Sequence, residues 1–150
     1  MSNKIVAIGC DHAGYALKER IKEKLQQTGF TVRDYGTYSE EPADYPDFVH
    51  PLCRAMETEG IDRGILLCGS GNGVAMTANK YAHIRAALCW STELAKLARS
   101  HNDANVLCLP ARFLEPELAL QLVELFLTTP FEGGRHQRRV EKIALKNFSC

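Results

Sequence analysis

Apolar residues recur along this chain with two alternating periods. Lys4 to Gly9 is a short β-branched run ended by glycine and predicts a buried strand. Ala13, Leu17, Ile21 and Leu25 then fall four apart, one stripe of a helix that Gly29 can stop. Thr31 to Tyr35 predicts a second strand, and Gly36 to Pro46 a polar, turn-rich loop. Phe48, Leu52 and Met56 form another helical stripe. Pro51 inside it is tolerable only if that helix begins close by, because proline removes a backbone donor. Gly64 to Cys68 predicts a third strand, which runs straight into Gly69-Ser70-Gly71-Asn72-Gly73 and a short helix ending near Tyr81. Arg85 to Cys89 predicts a fourth strand, Thr92 to Ser100 a helix, and Asn105 to Leu109 a fifth strand closed by Pro110. Leu114, Leu118, Leu122 and Leu125 give one more helical stripe, and Gly133-Gly134 breaks the chain before a basic last helix.

Strands alternating with helices at this spacing predict a parallel sheet covered on both faces. Repeats, low-complexity tracts and linkers are absent, so residues 1–150 are expected to form one domain. In such sheets ligands bind outside the carboxyl ends of the strands. That directs attention to Cys10–Gly14, to Cys68–Gly73 and to the stretch around Pro110 and Arg112.

Charge and cysteine content narrow the classes. Lys plus Arg and Asp plus Glu both number 18, so no bulk field draws the chain to nucleic acid or to an anionic membrane. The first apolar run, Ile5 to Ile8, is too short for a signal-peptide core or a membrane span, and a cytoplasmic location is expected. The six cysteines include no C-x-x-C pair and no zinc-ligand spacing. Nearly all are expected to be buried, reduced thiols, and no metal is expected.

Three apparent motifs fail at the residue that would carry their chemistry. Gly9 and Gly14 have the spacing of a triphosphate-binding loop, but Tyr15 and Ala16 replace its lysine and hydroxyl residue. Gly69-x-Gly71 opens like a dinucleotide fingerprint, yet Val74 holds the place of the third glycine. A cysteine phosphatase loop starting at Cys68 would need arginine where Val74 again stands.

Other features keep two readings open. The glycines after Cys68 either expose backbone N–H groups to an anion or simply make a tight turn. Cys68 ends a strand beside that turn, where a thiolate is favoured, although a buried structural cysteine is the commoner case. Arg135 and Arg139 stand four apart, as a fork for phosphate or as the solvated face of a basic helix, with Arg112, His136 and Arg138 adding charge. Asp11-His12 and His101-Asn102-Asp103 are polar clusters expected at the ligand end of the sheet.

Taken in order, five segments resemble the type B ribose-5-phosphate isomerases and their relatives, the galactose-6-phosphate isomerase subunits. They are Gly9-Cys10-Asp11-His12-Ala13-Gly14, Asp44-Tyr45-Pro46, Cys68 to Gly73 with Ala78-Asn79-Lys80, His101 to Val106, and Gly133-Gly134-Arg135-His136. The resemblance covers nearly the whole chain. It implies a Rossmann-like three-layer sandwich with a five-stranded parallel sheet, and interconversion of ribose-5-phosphate and ribulose-5-phosphate through an enediolate in the pentose phosphate pathway. Cys68 matches the general base, Ser70 the hydroxyl that helps shuttle protons, and His101 the residue that opens the sugar ring. Asp11, His12, Tyr45, Gly69, Gly71, Asn72, Gly73, Asn102 and Arg112 match substrate-binding positions, and Arg135 with Arg139 the phosphate clamp. No cofactor is implied. The implied assembly is a homodimer or tetramer whose sites draw on two subunits, with His101, Asn102 and Arg112 arriving from the partner. Asn72 stands where an aliphatic residue is common and Ala75 where serine is usual, which leaves open a six-carbon substrate such as allose- or galactose-6-phosphate. A non-catalytic sugar-phosphate-binding module would need the clamp but neither Cys68 nor His101.

Overall fold

In the computed structural model, which describes residues 4–147, five strands form one all-parallel sheet. The strands are β1 (Ile5–Cys10), β2 (Thr31–Asp34), β3 (Arg63–Cys68), β4 (Ala86–Leu88) and β5 (Val106–Pro110). Their spatial order is β2-β1-β3-β5-β4, with Ile8 beside Ile65 and Ile65 beside Leu107. Central strands β3 and β5 are buried on both faces almost throughout, as their unbroken apolar runs require.

The helices are α1 (Tyr15–Gln27), α2 (Pro46–Thr58), α3 (Asn72–Ala78), α4 (Thr92–Ser100), α5 (Pro116–Thr128) and α6 (Arg135–Glu141). One face of the sheet packs α1, α4 and α5 through Ile21, Ala95, Leu122 and Phe126 against Ile8, Leu67 and Leu109. The other packs α2 and α3 through Leu52, Met56 and Val74 against Ala7, Leu66 and Cys108. The chain therefore leaves β1 and β5 toward one face and leaves β3, between them, toward the other. Loops that diverge in this way open a crevice at the carboxyl ends of the strands.

The chain differs from the sequence expectation at identifiable points. Helix α2 starts at Pro46, so Pro51 lies well inside it. Pro51 is exposed, and water can serve the backbone carbonyl that its missing donor leaves behind. Ala13 falls in a 3-10 turn (His12–Gly14) ahead of α1. Helix α3 stops at Ala78, because Asn79 turns its side-chain amide to the edge of β4, accepting from Ala86 N–H and donating to Ala86 O. In α5 the buried face is Ala119, Leu122, Val123, Phe126 and Leu127, whereas Leu118 and Leu125 are only half-buried.

Candidate active site

The site begins where β1 and β3 end. Asp11 is buried, and its carboxylate accepts from Ala13 N–H at 3.0 Å, which caps the 3-10 turn and fixes His12 behind it. His12 Nδ1 lies 3.1 Å from Ala43 N and 3.3 Å from Ala43 O, so the Ala43 backbone holds the ring and leaves Nε2 on its other side. Gly14 is required here by space. A Cβ on it would lie 2.7 Å from Leu67 Cβ.

Cys68 is the last residue of β3 and is 5% exposed. After it, Gly71 adopts a left-handed φ of 77° and lies against Leu88 and the backbone of Pro110, where a Cβ would come within 2.4 Å of Leu88 Cδ1. Exposed Ser70 accepts from Asn72 N–H through its Oγ. The Tyr45 ring lies over Gly73, so close that a Cβ there would sit 2.4 Å from its Cζ. Arg112, just beyond β5, donates its backbone N–H to Gly69 O at 3.0 Å and lays its guanidinium over the same glycine. These contacts exist because β5 lies directly beside β3, pairing Cys68 with Pro110. Asp11, His12, Tyr45, the Cys68–Gly73 loop and Arg112 thus stand together on one chain at the carboxyl end of the sheet.

Arg112 therefore stands with its own chain's Cys68 loop, which corrects the expectation that it comes from a partner together with His101. The expectation of buried, reduced thiols holds for the cysteines among the described residues. Cys10, Cys53, Cys68, Cys89 and Cys108 are free and buried, while Cys150 lies outside them. Burial pushes the thiols of Cys10 and Cys53 up to about 12 and that of Cys89 to about 11, and Cys108 is also raised well above the usual range. These four remain protonated near neutrality.

His101, Asn102, Arg135 and Arg139 are elsewhere. His101 caps the end of α4, and a helix that runs back along a parallel sheet delivers its last residue to the amino end of the next strand. The two ends of six-residue β3 are roughly 16 Å apart at about 3.3 Å per residue, so His101 does not reach Cys68 of its own chain. This overturns the expected placement of His101-Asn102-Asp103 at the ligand end. Asp103 serves the turn itself. With φ of 48°, it accepts from Arg99 Nη1 at 2.9 Å and Arg85 Nη2 at 3.1 Å, leaving Asn102 exposed.

Helix α6 joins His101 at this end, because Glu132 N–H donates to Ser100 O at 3.0 Å. The rings of His101 and His136 stack at 4.0 Å with planes 14° apart. Burial, then the charges of His101 and Arg135, hold the His136 pKa below the usual range, against an opposing pull from Glu132. Arg135 and Arg139 are both exposed on α6, one turn apart. The stacking partner His136 entered the sequence reading as local charge and as the end of the Gly133–His136 segment, with no role of its own. Its i, i+4 spacing from Glu132 was visible, but its meeting with His101 depends on how α5 returns the chain. Also invisible was the environment of Lys18, fully buried and bound to Asp34 at 2.7 and 2.8 Å and to Thr37 O at 2.7 Å.

A parallel sheet with its crevice beside Cys68 and a second polar cluster at its far end defines an α/β protein that takes up small ligands at the carboxyl edge. Its family is known from comparison. The family model described as Ribose/Galactose Isomerase matches residues 6–143, and the chain belongs to that family. It is 45% identical over 140 residues to ribose-5-phosphate isomerase B of Escherichia coli, covering 93% of this chain and 94% of that protein. The crystal structure of a ribose 5-phosphate isomerase from Thermotoga maritima superposes with a TM-score of 0.91 at 51% identity, covering 93% of this chain and 97% of that one. Ribose-5-phosphate isomerase B of Mycoplasma genitalium, solved with bound ribulose-5-phosphate, matches with a TM-score of 0.90 at 44% identity, covering 96% of this chain and 95% of the other.

Proposed function

We propose that this chain is an aldose–ketose isomerase that interconverts ribose-5-phosphate and ribulose-5-phosphate in the cytoplasm, within the pentose phosphate pathway, as one domain in a homodimer. The observation that carries the reading is the ribulose-5-phosphate bound by the Mycoplasma genitalium relative, 44% identical along nearly the whole chain. The Cys68 half-site supplies matching chemistry. Among the described residues no helix is long and apolar enough to cross a membrane, which agrees with the location proposed.

In this mechanism the Cys68 thiolate removes the proton from C2 of the open-chain aldose and returns it to C1. Ser70 exchanges the proton between the oxygens on C1 and C2. Backbone N–H groups of the Gly69–Gly73 loop hold the enediolate oxygen, where negative charge develops. Asp11, His12, Tyr45, Asn72 and Arg112 orient the sugar. His101 opens the ring, Asn102 contacts the sugar, and Arg135 with Arg139 clamps the phosphate. Within one chain the two groups stand at opposite ends of the sheet. Homodimerisation that brings the amino end of one sheet to the carboxyl end of the other completes each site. Cys68 and Arg112 then come from one subunit, and His101, Asn102, Arg135 and Arg139 from the other. Clamping the remote phosphate orients the carbons for proton transfer.

The deciding assay compares kcat/KM of the purified protein for ribose-5-phosphate and allose-6-phosphate. Preference for the five-carbon sugar supports the proposal. Preference for the six-carbon sugar would move the protein to that branch, where Asn72 and Ala75 reshape the pocket. Binding of both without turnover would leave a non-catalytic module.

A further inference from the structure

We propose that His101, Glu132 and His136 form a binding site for a divalent transition-metal ion of the zinc type, and that filling it blocks isomerisation. One ligand atom from each lies within 4.8 Å of the other two. Glu132 Oε1 is 3.6 Å from His136 Nε2 and 3.9 Å from His101 Nε2. Those gaps are too long for hydrogen bonds, whose limit is near 3.2 Å for such pairs. They come close to the separation of roughly 3.4 Å between ligands of a tetrahedral zinc ion with bonds of about 2.0–2.1 Å.

The second observation comes from His136. The residue is only 7% exposed, and its Nε2 is buried without a hydrogen-bond partner. A buried polar nitrogen normally has a partner, and this one faces the Glu132 carboxylate across an ion-sized gap. Imidazole nitrogens with one carboxylate suit zinc, whereas magnesium and calcium prefer oxygen ligands. The side chains that must move are the exposed ones: Glu132 shifts slightly, and the His101 ring turns out of its near-parallel stack on His136, because two parallel rings cannot aim their in-plane lone pairs at one ion. Glu132 is 59% and His101 37% exposed, while His136 is held by its surroundings. Water would fill the fourth position. Arg135 and Arg139, exposed on the same short helix, oppose a cation and keep the affinity moderate. On the zinc ion the His101 Nε2 lone pair becomes a ligand bond, so that nitrogen no longer exchanges a proton with the sugar. The blockade rests on the ring-opening role proposed for His101, whereas zinc binding itself does not.

The test titrates chelator-treated, desalted protein with zinc chloride by calorimetry and follows isomerase activity in parallel. One zinc per chain is expected, with no heat from magnesium chloride. Glu132→Gln and His136→Gln should each lose at least about tenfold in zinc affinity, and Cys68→Ser should keep it. Zinc should inhibit the wild type reversibly with EDTA. Glu132→Gln, which lies outside the proposed catalytic machinery, should keep basal activity and need at least about tenfold more zinc for half inhibition. Zinc affinity unchanged in Glu132→Gln and His136→Gln, or lost in Cys68→Ser, would overturn the site. Binding as expected without inhibition would uphold the site and instead remove His101 from the mechanism.

Discussion

Cys68 and His101 stand at opposite ends of the parallel sheet, one closing β3 and the other following α4 at the start of β5. In the homodimer proposed above, the same chain gives Cys68 to one site and His101 to the other.

Mixing impaired variants reads out this division. Re-annealed Cys68→Ser and His101→Ala proteins should form heterodimers with one intact site, recovering roughly a quarter of wild-type activity after random reassortment. Arg139→Ala mixed with His101→Ala, assayed at substrate far below the raised KM, should gain nothing over the unmixed proteins, since both lesions fall in the same half. Recovery by the second pair, with heterodimers shown to form, would place the arginines beside Cys68.

Cys68→Ser should lower kcat by about 10²–10⁴-fold, because an alcohol is far less acidic than a thiol at the same position. KM should change by less than about threefold. A variant that retains most of its kcat would assign the base to another group.

Arg139→Ala, and similarly Arg135→Ala, should raise KM roughly ten- to a hundredfold, from a charge-assisted phosphate contact worth about 1.5–3 kcal/mol. Sulfate should inhibit the wild type more strongly than either variant. An unchanged KM would return this helix face to solvent.

Gly73→Ala should displace Tyr45, since the added methyl would sit 2.4 Å from Cζ of its ring. Turnover is expected to fall while folding survives, because Tyr45 is 37% exposed and can swing outward. Tyr45→Ala introduced into Gly73→Ala should then cost little more. Full additivity of the two losses would show that they act independently.

Stability should depend on Asp34 at low pH. Burial alone would raise its pKa, but hydrogen bonds from Lys18, Lys22 and Gly36 N–H outweigh it and hold the carboxyl below its usual value of 3.8. A depressed folded pKa stabilises above the unfolded value, so this contribution should be complete above about pH 5 and fade as pH falls through and below 3.8. Asp34→Asn should cost about 3–5 kcal/mol in urea unfolding at pH 7, because it strands the Lys18 ammonium, which has no exposed surface. A loss below about 1 kcal/mol would show that Thr37 O alone satisfies Lys18.

The sequence by itself determined the order of strands and helices, the covered parallel sheet and the chemistry of the residues. Those properties follow from local periodicity, from where glycine and proline can stand, and from side-chain type. The Cys68 loop was legible because a residue following a parallel strand lies at the ligand end in any strand order. The same rule puts His101, which follows a helix, at the far end, but grouping it with Asp11 and His12 by polarity obscured that signal. Tertiary structure alone decided that β5 lies between β3 and β4, which places Arg112 over Gly69. It alone seated Lys18 on Asp34 and stacked His136 on His101, with Glu132 across the gap. Each of these depends on how far-apart segments share the two faces of the sheet. Strand order and helix return are set by the total burial of the whole core, and no local pattern along the chain carries them.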